Sequence, residues 1–286
     1  MLPLLSDLQA VIDRALQEDL AIGDPTTDGL VPPGLPGRGL VFAKSAGVLC
    51  GAPVAAMVFQ RLDPGLKVEQ VLRDGDRLER GSAILRLTGP AASMLKAERV
   101  AVNFIQHLSG VATQTAWYVD RVHGLPVRIV DTRKTVPGIR ALQKYAVHVG
   151  GGGNHRKNLG DGILIKDNHL AVMRATGKSL EDIVRQAVAT ASHTIKVEVE
   201  VTSLDEVRQA LDGGAHVLLL DNMTVEQMRQ AVALVNHRAA TEASGGITLD
   251  TVRAVAETGV DLISVGALTH SVKALDISMD VELGRA

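Results

Sequence analysis

The sequence predicts a protein of the α/β class, because short buried strands alternate with amphipathic helices over its second half. Six apolar runs are typical of such strands, and each ends in polar residues. In chain order they are RIVDT (128–132), ILIK (163–166), KVEVEV (196–201), HVLLLDN (216–222), TEASGG (241–246) and LISVG (262–266). A doubly wound sheet would give a similar pattern, but polar residues at the carboxyl end of all six strands favour a barrel with its site on that face.

The segments between these strands carry helix start and stop signals. Ser203 with Glu206, and Thr224 with Gln227, have the spacing of capping boxes and predict helix starts after the third and fourth strands. Gly213-Gly214 predicts the end of one helix, since glycine readily adopts the left-handed conformation that follows a helix. The expected repeat is therefore a strand followed by a helix, which gives parallel pairing.

The first part of the chain has a different pattern. Ser6 can cap a helix whose apolar residues recur at the spacing of one buried face. From about 38 to 87 the sequence changes to short alternating runs, VEQVL (68–72) and AILRL (83–87), which are typical of strands. Turn signals stand between them at Asp74-Gly75 and Arg80-Gly81.

A second helical stretch is expected from about 91 to 108, ended by Ser109-Gly110, with a further helix ending near Gly124. We place a domain boundary near residue 112. The predicted domains are an N-terminal α+β domain over 1–112 and a catalytic α/β barrel over 113–271, and a tail of about 272–286 could pack on the first domain.

Bulk composition excludes several classes of protein. An apolar fraction of 46% with 22% charged residues is typical of an ordinary globular protein, and 2% aromatic residues leave the core to Val, Leu, Ile and Ala. Cys50 is the one cysteine, so a secreted disulfide framework is excluded. The start MLPLLSDLQAV lacks the basic region of a signal peptide. We expect a cytoplasmic enzyme that binds neither membrane nor nucleic acid, since the net charge is only -2.

Positive charge is concentrated between Asp131 and His169. This segment contains seven Lys and Arg residues and three Asp residues, so its net charge is +4 in a mildly acidic protein. This concentration indicates a focused site for small anions. Arg133, Lys134 and Lys166 each follow a buried strand, where a charge is costly without a partner. For Arg140, Lys144 and Lys157, solvated helix faces are an equally good interpretation.

The two kinds of cation suggest two kinds of anionic group. The planar guanidinium of Arg grips a carboxylate through two bonds, whereas Lys is a compact charge suited to phosphate oxygens. The run GGGGNHR (150–156) lacks the Lys-Ser/Thr of a Walker motif and a preceding strand, so it does not indicate ATP or NAD binding. It is either a flexible loop or a close backbone approach that brings His155 and Arg156 to the site.

Carboxylates are expected beside these cations. Glu198 and Glu200 share one face of a strand, and Asp221 ends the next strand. They either neutralise Lys and Arg in salt bridges or hold Mg²⁺ and ribose hydroxyls. A zinc site is not expected, because His155 and His169 lack a third ligand at metal-like spacing.

Two glycine-containing turns follow the last two strands. SGGI (244–247) and SVGAL (264–268) are each expected to lead directly into a helix. In α/β barrels this is a common place for phosphate, which backbone N–H groups bind at a helix start. Tight turns without a ligand are the alternative.

Taken together, seven stretches closely resemble the quinolinate phosphoribosyltransferase family, also called nicotinate-nucleotide pyrophosphorylase (carboxylating). They run in order over about residues 90–280, whereas residues 1–90 match in outline only. The stretches are KAERVAVNFIQHLSGVATQT (96–115), DTRKTVPGIRALQKYAV (131–147), GGGGNHRKNLGDGILIKDNH (150–169), VEVEV (197–201), LLLDN (218–222), SGGI (244–247) and SVGALTHS (264–271).

The resemblance implies an N-terminal α+β sandwich joined to an incomplete α/β barrel, and at least a homodimer. It also implies a reaction of NAD biosynthesis, in which quinolinate and phosphoribosyl pyrophosphate give nicotinate mononucleotide, pyrophosphate and CO₂. Mg²⁺ is the expected cofactor.

The resemblance also implies roles for individual residues. The two quinolinate carboxylates are expected on Arg133, His155, Arg156 and Lys166, with Arg99 supplied by the neighbouring subunit. Lys134 is expected at the pyrophosphate end, and Glu200 and Asp221 at the ribose and Mg²⁺. Ser244, Gly245, Gly246 and Gly266 are expected at the 5′-phosphate. The predicted substrate-binding set is completed by Thr132, Ala267, Leu268 and His270, and the predicted catalytic residues are Lys134, Lys166, Glu200 and Asp221.

Three alternatives remain open at this point. The chain could be a nicotinate-using phosphoribosyltransferase, although a monocarboxylate requires only one clamp and this sequence has cations in several places. It could be the molybdenum-transport-associated paralogue of the same superfamily. A sugar-phosphate-binding regulator without catalysis could share the fold and the phosphate turns, but it would have no need of Glu200 and Asp221 beside a second anion site.

Overall fold

The computed structural model describes residues 5–283. Outside it lie residues 1–4, which belong to the N-terminal stretch tested for a signal peptide. Residues 284–286, which belong to the predicted tail, also lie outside it. The first elements in chain order are α1 (Leu5–Leu20), α2 (Pro25–Leu30), β1 (Pro36–Ala43), β2 (Gly47–Val48), α3 (Ala52–Leu62), β3 (Lys67–Gln70), β4 (Arg77–Leu78), β5 (Ala83–Pro90) and α4 (Ala91–Arg121).

The remaining elements contain all six strands that the sequence predicts for the barrel. They are β6 (Arg128–Val130), α5 (Arg140–Val149), β7 (Ile163–Ile165), α6 (Asp167–Arg174), α7 (Leu180–Thr190), β8 (Val197–Val201), α8 (Leu204–Asp212), β9 (Val217–Asp221), α9 (Val225–Val235), β10 (Ala240–Ser244), α10 (Val252–Ala256), β11 (Leu262–Ser264), α11 (Ala267–His270) and β12 (Ile277–Leu283).

The described residues form two compact units, which we call unit 1 and unit 2. Unit 1 contains the residues up to 116, residues 135–151 and the residues from 268 onward, whereas unit 2 contains residues 117–134 and 152–267. Each unit therefore contains more than one stretch of the chain. Among the described residues, no helix combines the length and the apolar character needed to cross a bilayer.

Unit 1 is built on an antiparallel sheet in the order β12-β1-β5-β3. The C-terminal strand β12 pairs with β1 from Gly37↔Leu283 to Ala43↔Ile277. Helix α3 packs on β3 and β5, and α1 packs on α3. The predicted opening helix is confirmed, since α1 buries Leu8, Ile12 and Leu16 along one face.

Two details of the expected N-terminal part are wrong. Helix α3 lies inside the stretch that the alternating runs assign to strands, and its apolar residues are buried. The predicted break at Ser109-Gly110 does not occur, because α4 runs without interruption through both residues. A side chain at Gly110 would collide with the carbonyl oxygen of Lys273. This glycine therefore serves close packing and does not end a helix.

Unit 2 is an incomplete barrel of parallel strands. Its six strands lie in the order β6-β11-β10-β9-β8-β7, so β6 and β7 form the two edges. The interior strands β8 and β9 are buried except at Glu200 and Asp221, as expected of parallel strands that are covered on both faces. Outside them, α7, α8, α9 and α10 pack in sequence on one another. The expected barrel of βα units is confirmed.

The predicted helix starts are also present. Ser203 Oγ accepts a hydrogen bond from Glu206 N (3.2 Å), although the Glu206 carboxylate accepts from Thr202 N and not from Ser203. At α9 the box is reciprocal, because Thr224 Oγ1 accepts from Gln227 N (3.2 Å) and Gln227 Oε1 accepts from Thr224 N (2.9 Å).

Candidate active site

Unit 2 has a cavity of about 220 Å³ at the carboxyl end of its strands. Most of its lining residues stand at or just after a strand end, where an α/β barrel places its active site. Seven predicted site residues meet there. The lining residues are Thr132, Arg133, Lys134, His155, Arg156, Leu164, Lys166, Leu219, Glu242, Ser244 and Ser264.

The loop that carries His155 and Arg156 is held against β6. Asp131 is fully buried and accepts hydrogen bonds from His155 N (2.9 Å) and from Asn154 Nδ2 (2.7 Å). Gly153 continues this contact as an isolated parallel bridge, in which its N–H donates to Ile129 O (2.8 Å). The glycine run therefore brings backbone close to a strand of its own sheet and fixes the position of the two residues that follow it.

Arg156 is a partly buried cation. Its Nη1 donates to Gly162 O (2.9 Å), while its Nε is buried with no hydrogen-bond partner among residues 5–283. Burial lowers the pKa of Arg156, the nearby Arg133 lowers it further, and Glu198 partly compensates. Two guanidinium groups that line one open cavity repel each other, and a bound anion would relieve this repulsion.

A carboxylate cluster lies beneath these arginines. His155 Nε2 is 3.1 Å from Glu198 Oε2 and 3.6 Å from Glu242 Oε1, and His155 Nδ1 accepts from Arg156 N (2.7 Å). Burial and the neighbouring Glu198 raise the pKa of Glu242 to about 7, against the opposing effects of His155 and a hydrogen bond from Ser264. We call His155, Glu198 and Glu242 the interior cluster.

One member of this cluster, Glu242, is not among the site residues predicted from the sequence. Glu242 was not recognised as a candidate, and the signal that could have found it is the alternation of TEAS, which puts Glu242 and Ser244 on the same strand face. Sequence spacing offers no third metal-type ligand to His155 and His169, and so it predicts no zinc site. The fold brings three such donor atoms within 4.8 Å of one another.

Glu200 and Asp221 form a separate carboxylate pair. Burial raises the pKa of Glu200, and the charge of Asp221 together with their side-chain hydrogen bond raises it further, while Lys166 acts in the opposite direction. Asp221 Oδ2 also accepts from Asn222 Nδ2 (2.7 Å). Two partly buried oxygen donors that repel one another suit a hard divalent cation such as Mg²⁺, because the cation removes the repulsion.

The turn after β10 has the conformation expected of a glycine-dependent loop. Gly245 and Gly246 have φ values of 97° and 60°, and Asn222 N donates to Ser244 O (3.0 Å) beneath them. A side chain at Gly245 would collide with Asn222 Oδ1. The expected helix start directly after this turn is wrong, since α10 begins only at Val252. After β11, the helix α11 begins at Ala267 as expected but has a single turn.

Three predicted site residues belong to unit 1. Arg99 lies on α4, where 59% of its side chain is exposed and its Nη2 is 3.7 Å from Glu98 Oε1. It borders a separate cavity of about 240 Å³ whose other lining residues include Glu18, Asn103 and His107. Leu268 and His270 are the others, whereas Gly266 and Ala267 end unit 2.

Comparison with known proteins supplies the context for this geometry. The family model described as "Quinolinate phosphoribosyl transferase, C-terminal domain" matches residues 111–280, and the corresponding N-terminal model matches residues 24–109. A tobacco protein named "Quinolinate phosphoribosyltransferase [decarboxylating] 2b, mitochondrial" is 41% identical over 292 residues, covering 96% of this chain and 82% of its own.

Bacterial relatives are similar over nearly their whole length. The "Nicotinate-nucleotide pyrophosphorylase [carboxylating]" of Mycobacterium leprae is 46% identical over 276 residues, covering 94% of this chain and 95% of its own. The crystal structure of NadC from Streptococcus pyogenes has a TM-score of 0.93 at 40% identity, with both chains covered completely. This chain belongs to the quinolinate phosphoribosyltransferase family.

Proposed function

We propose that this chain transfers phosphoribose from phosphoribosyl pyrophosphate to quinolinate and removes one carboxylate, giving nicotinate mononucleotide, pyrophosphate and CO₂ for NAD biosynthesis. The observation that carries the proposal is the cavity of unit 2, where Arg133, Lys134, Arg156 and Lys166 meet. Release of labelled CO₂ from quinolinate, dependent on phosphoribosyl pyrophosphate and matched by nicotinate mononucleotide, tests it. An enzyme that forms neither product would contradict it.

The arginines are assigned to the two carboxylates of quinolinate. Arg133 and Arg156 lie close enough for one to lower the pKa of the other, so a dianion between them relieves their repulsion. Lys166 and Thr132 line the same cavity and complete this part of the site. Held in this way, the pyridine nitrogen is oriented toward ribose C1, and orientation of bound reactants can supply roughly 7–11 kcal/mol of the barrier.

The pyrophosphate end is assigned to Lys134, with Glu200 and Asp221 beside the ribose. When pyrophosphate leaves C1, positive charge develops on the sugar and negative charge on the leaving group. Lys134 stabilises the leaving oxygens and the carboxylates face the sugar. Mg²⁺ held by Glu200, Asp221 and the substrate would neutralise further charge on the pyrophosphate.

The remaining steps need positioning and charge rather than a nucleophilic side chain. The 5′-phosphate is assigned to Ser244–Gly246 and the turn at Gly266, with Ala267, Leu268 and His270 close in sequence. Once the ring nitrogen is bonded to C1, it is cationic. The bond from C2 to its carboxylate then breaks, the electron pair stays on C2 next to the cationic nitrogen, and C2 takes up a proton.

The finer assignments concern assembly and location. We assign Arg99 to the active site of a partner subunit in a homodimer, because it lies on α4 in unit 1, outside the set of residues that line the cavity of unit 2. A cytoplasmic location is supported by the one cysteine, Cys50, which is buried as a free thiol. Cell fractionation with an antibody against the chain tests the location.

A further inference from the structure

The cavity at the carboxyl end of the strands of unit 2 contains a carboxylic acid. Among the described residues that line this cavity, Glu242 is the one with a carboxyl group. Glu242 also lines a second cavity of about 200 Å³ at the amino end of the strands, where Arg128 and Lys196 lie. It therefore stands between the two cavities and borders the space that a ligand of the first cavity fills.

The strand register explains why Glu242 lines the first cavity and Glu198 does not. Glu242 pairs with Leu219, which pairs with Glu200, so these three residues share one level of the sheet. Glu198 pairs with Val217, one inward-facing position nearer the amino end. Of the two cavities, Glu198 lines the second alone. The two glutamates of the interior cluster are neighbours, but Glu242 is the one that faces the proposed substrate cavity.

Glu242 is deeply buried, and one of its oxygens makes no hydrogen bond. Only 2% of the side chain is exposed, and Oε1 has no hydrogen-bond partner among residues 5–283. That oxygen is 3.6 Å from His155 Nε2, which is longer than a hydrogen bond. Burial and, to a smaller extent, the charge of Glu198 raise the pKa of Glu242 to about 7. A carboxyl group in this state holds a proton that it can transfer to a stronger base.

The proposed reaction needs a proton donor in this cavity. When CO₂ leaves, the electron pair of the broken bond stays on C2 of the pyridine ring, and CO₂ can add back until C2 gains a proton. The ring is assigned to Arg133 and Arg156, which line the cavity together with Glu242. Lys134 and Lys166 are assigned to anions, and a bound anion makes an ammonium group hold its proton more tightly. The carboxylic acid is therefore the better donor.

We propose that Glu242 is a catalytic residue of the decarboxylation, and that its carboxyl group donates the proton to C2. The bond from C2 to its carboxylate breaks, CO₂ leaves, and the electron pair on C2 takes the proton of Glu242, which becomes a carboxylate. Solvent then returns a proton to Glu242 through the second cavity. His155 keeps the contact with quinolinate that the family resemblance implies. The inference deepens the proposed function and rests on it.

A single turnover with enzyme in excess over labelled quinolinate separates the two products, because pyrophosphate and CO₂ are measured in the same samples. Glu242→Gln removes the proton and keeps the size of the side chain. We expect pyrophosphate to form within about threefold of the wild-type rate and CO₂ to form at least about tenfold more slowly. The nucleotide that still carries both carboxylates should accumulate. Equal slowing of both products, or slowing of neither, would overturn the proposal.

The matched control is Glu198→Gln, which makes the same change of charge in the interior cluster. Because Glu198 lines the second cavity and not the first, CO₂ should still form together with pyrophosphate, whatever the rate of both. A CO₂ lag as long as that of Glu242→Gln would show that the charge of the cluster matters and not the proton of Glu242, which overturns the proposal. Glu242→Asp keeps a proton, and its lag should be shorter than that of Glu242→Gln; an equal lag would count against proton donation.

A second measurement uses the wild-type protein and needs no folded variant. A group that donates a proton to C2 also removes it in the reverse direction. In D₂O with nicotinate mononucleotide, proton NMR should show loss of the hydrogen at C2 at least about tenfold faster than without protein, while the other ring hydrogens remain. No faster loss at C2 would overturn the proposal. A wild-type protein that forms no pyrophosphate from quinolinate contradicts the proposed function itself, whereas normal wild-type turnover without a CO₂ lag in Glu242→Gln refutes this inference alone.

Discussion

Substitution of Arg156 by Lys separates the charge of this residue from its geometry. Lys keeps one positive charge but cannot bind a carboxylate through two parallel bonds. It also loses the bond from Nη1 to Gly162 O, which is 2.9 Å long. Because the substituted residue remains cationic and the cavity keeps Arg133 and Lys166, the field in the cavity changes little. The expected loss of activity therefore reports the loss of the two-bond geometry of the guanidinium and not a loss of charge.

The magnitude follows from the contacts that are lost. One hydrogen bond to a charged partner contributes about 1.5–3 kcal/mol, and each 1.36 kcal/mol is tenfold in rate. We expect kcat/KM for quinolinate to fall about tenfold to one-hundredfold, with a change of less than about threefold in the KM for phosphoribosyl pyrophosphate. Loss of the bond to Gly162 should destabilise the fold by about 1 kcal/mol, which lowers Tm by about 2–4 °C for a protein of this size.

The assay is CO₂ release at varied quinolinate with the second substrate saturating, followed by the reverse experiment. A matched control is Arg185→Lys on α7, where the arginine is exposed and pairs with Glu181 and Asp182. Exposed ion pairs contribute little, so this variant should be close to wild type in activity and Tm. If Arg156→Lys behaves like Arg185→Lys, the guanidinium does not hold the substrate and the assignment is refuted.

Three further predictions follow from the proposed site. Nicotinate, which lacks one carboxylate, should have kcat/KM at least about one-hundredfold below quinolinate, because a buried cation is left without its anion; similar values would contradict the two-carboxylate assignment. Chelation should abolish activity and Mg²⁺ should restore it, whereas full activity in chelator would leave Glu200 and Asp221 as salt-bridge partners only. Mixed Arg99→Ala and Arg133→Ala subunits should recover roughly a quarter of wild-type activity, since half the dimers then hold one intact site; no recovery, with exchange demonstrated, would exclude Arg99 from the partner's site.

Much of the barrel could be predicted because its strands are short, apolar and bounded by polar residues. The run that forms β9 is almost continuously apolar, which is the signal of a strand buried on both faces. The run that forms β8 alternates Val with Glu, and alternation is likewise a strand signal. Glycine residues predicted the ends of helices less well than apolar runs predicted strands. Gly110 has the same sequence signature whether it ends a helix or lets a second segment pass close by, and only the position of Lys273 distinguishes the two. Helix α3 was missed because an apolar run with few polar residues has no clear period.

The cationic part of the site was also predictable, because Arg133, Lys134 and Lys166 each follow a buried strand. The meeting of Glu198 with Glu242 in the interior cluster was not predictable. Glu198 and Glu242 belong to β8 and β10, which are separated by β9 in the sheet, so they meet only because the sheet curves. Curvature is not encoded in any local pattern of residues.

The interior cluster offsets part of the positive charge that lines the cavity of unit 2. Arg133 and Arg156 raise each other's electrostatic energy, and Glu198 opposes that effect from below. Burial and, to a smaller extent, the charge of the neighbouring Glu198 raise the pKa of Glu242 to about 7. One proton therefore adjusts the charge beneath the arginines. The carboxylates beneath the arginines therefore offset part of the positive charge that the cavity presents to an anionic ligand.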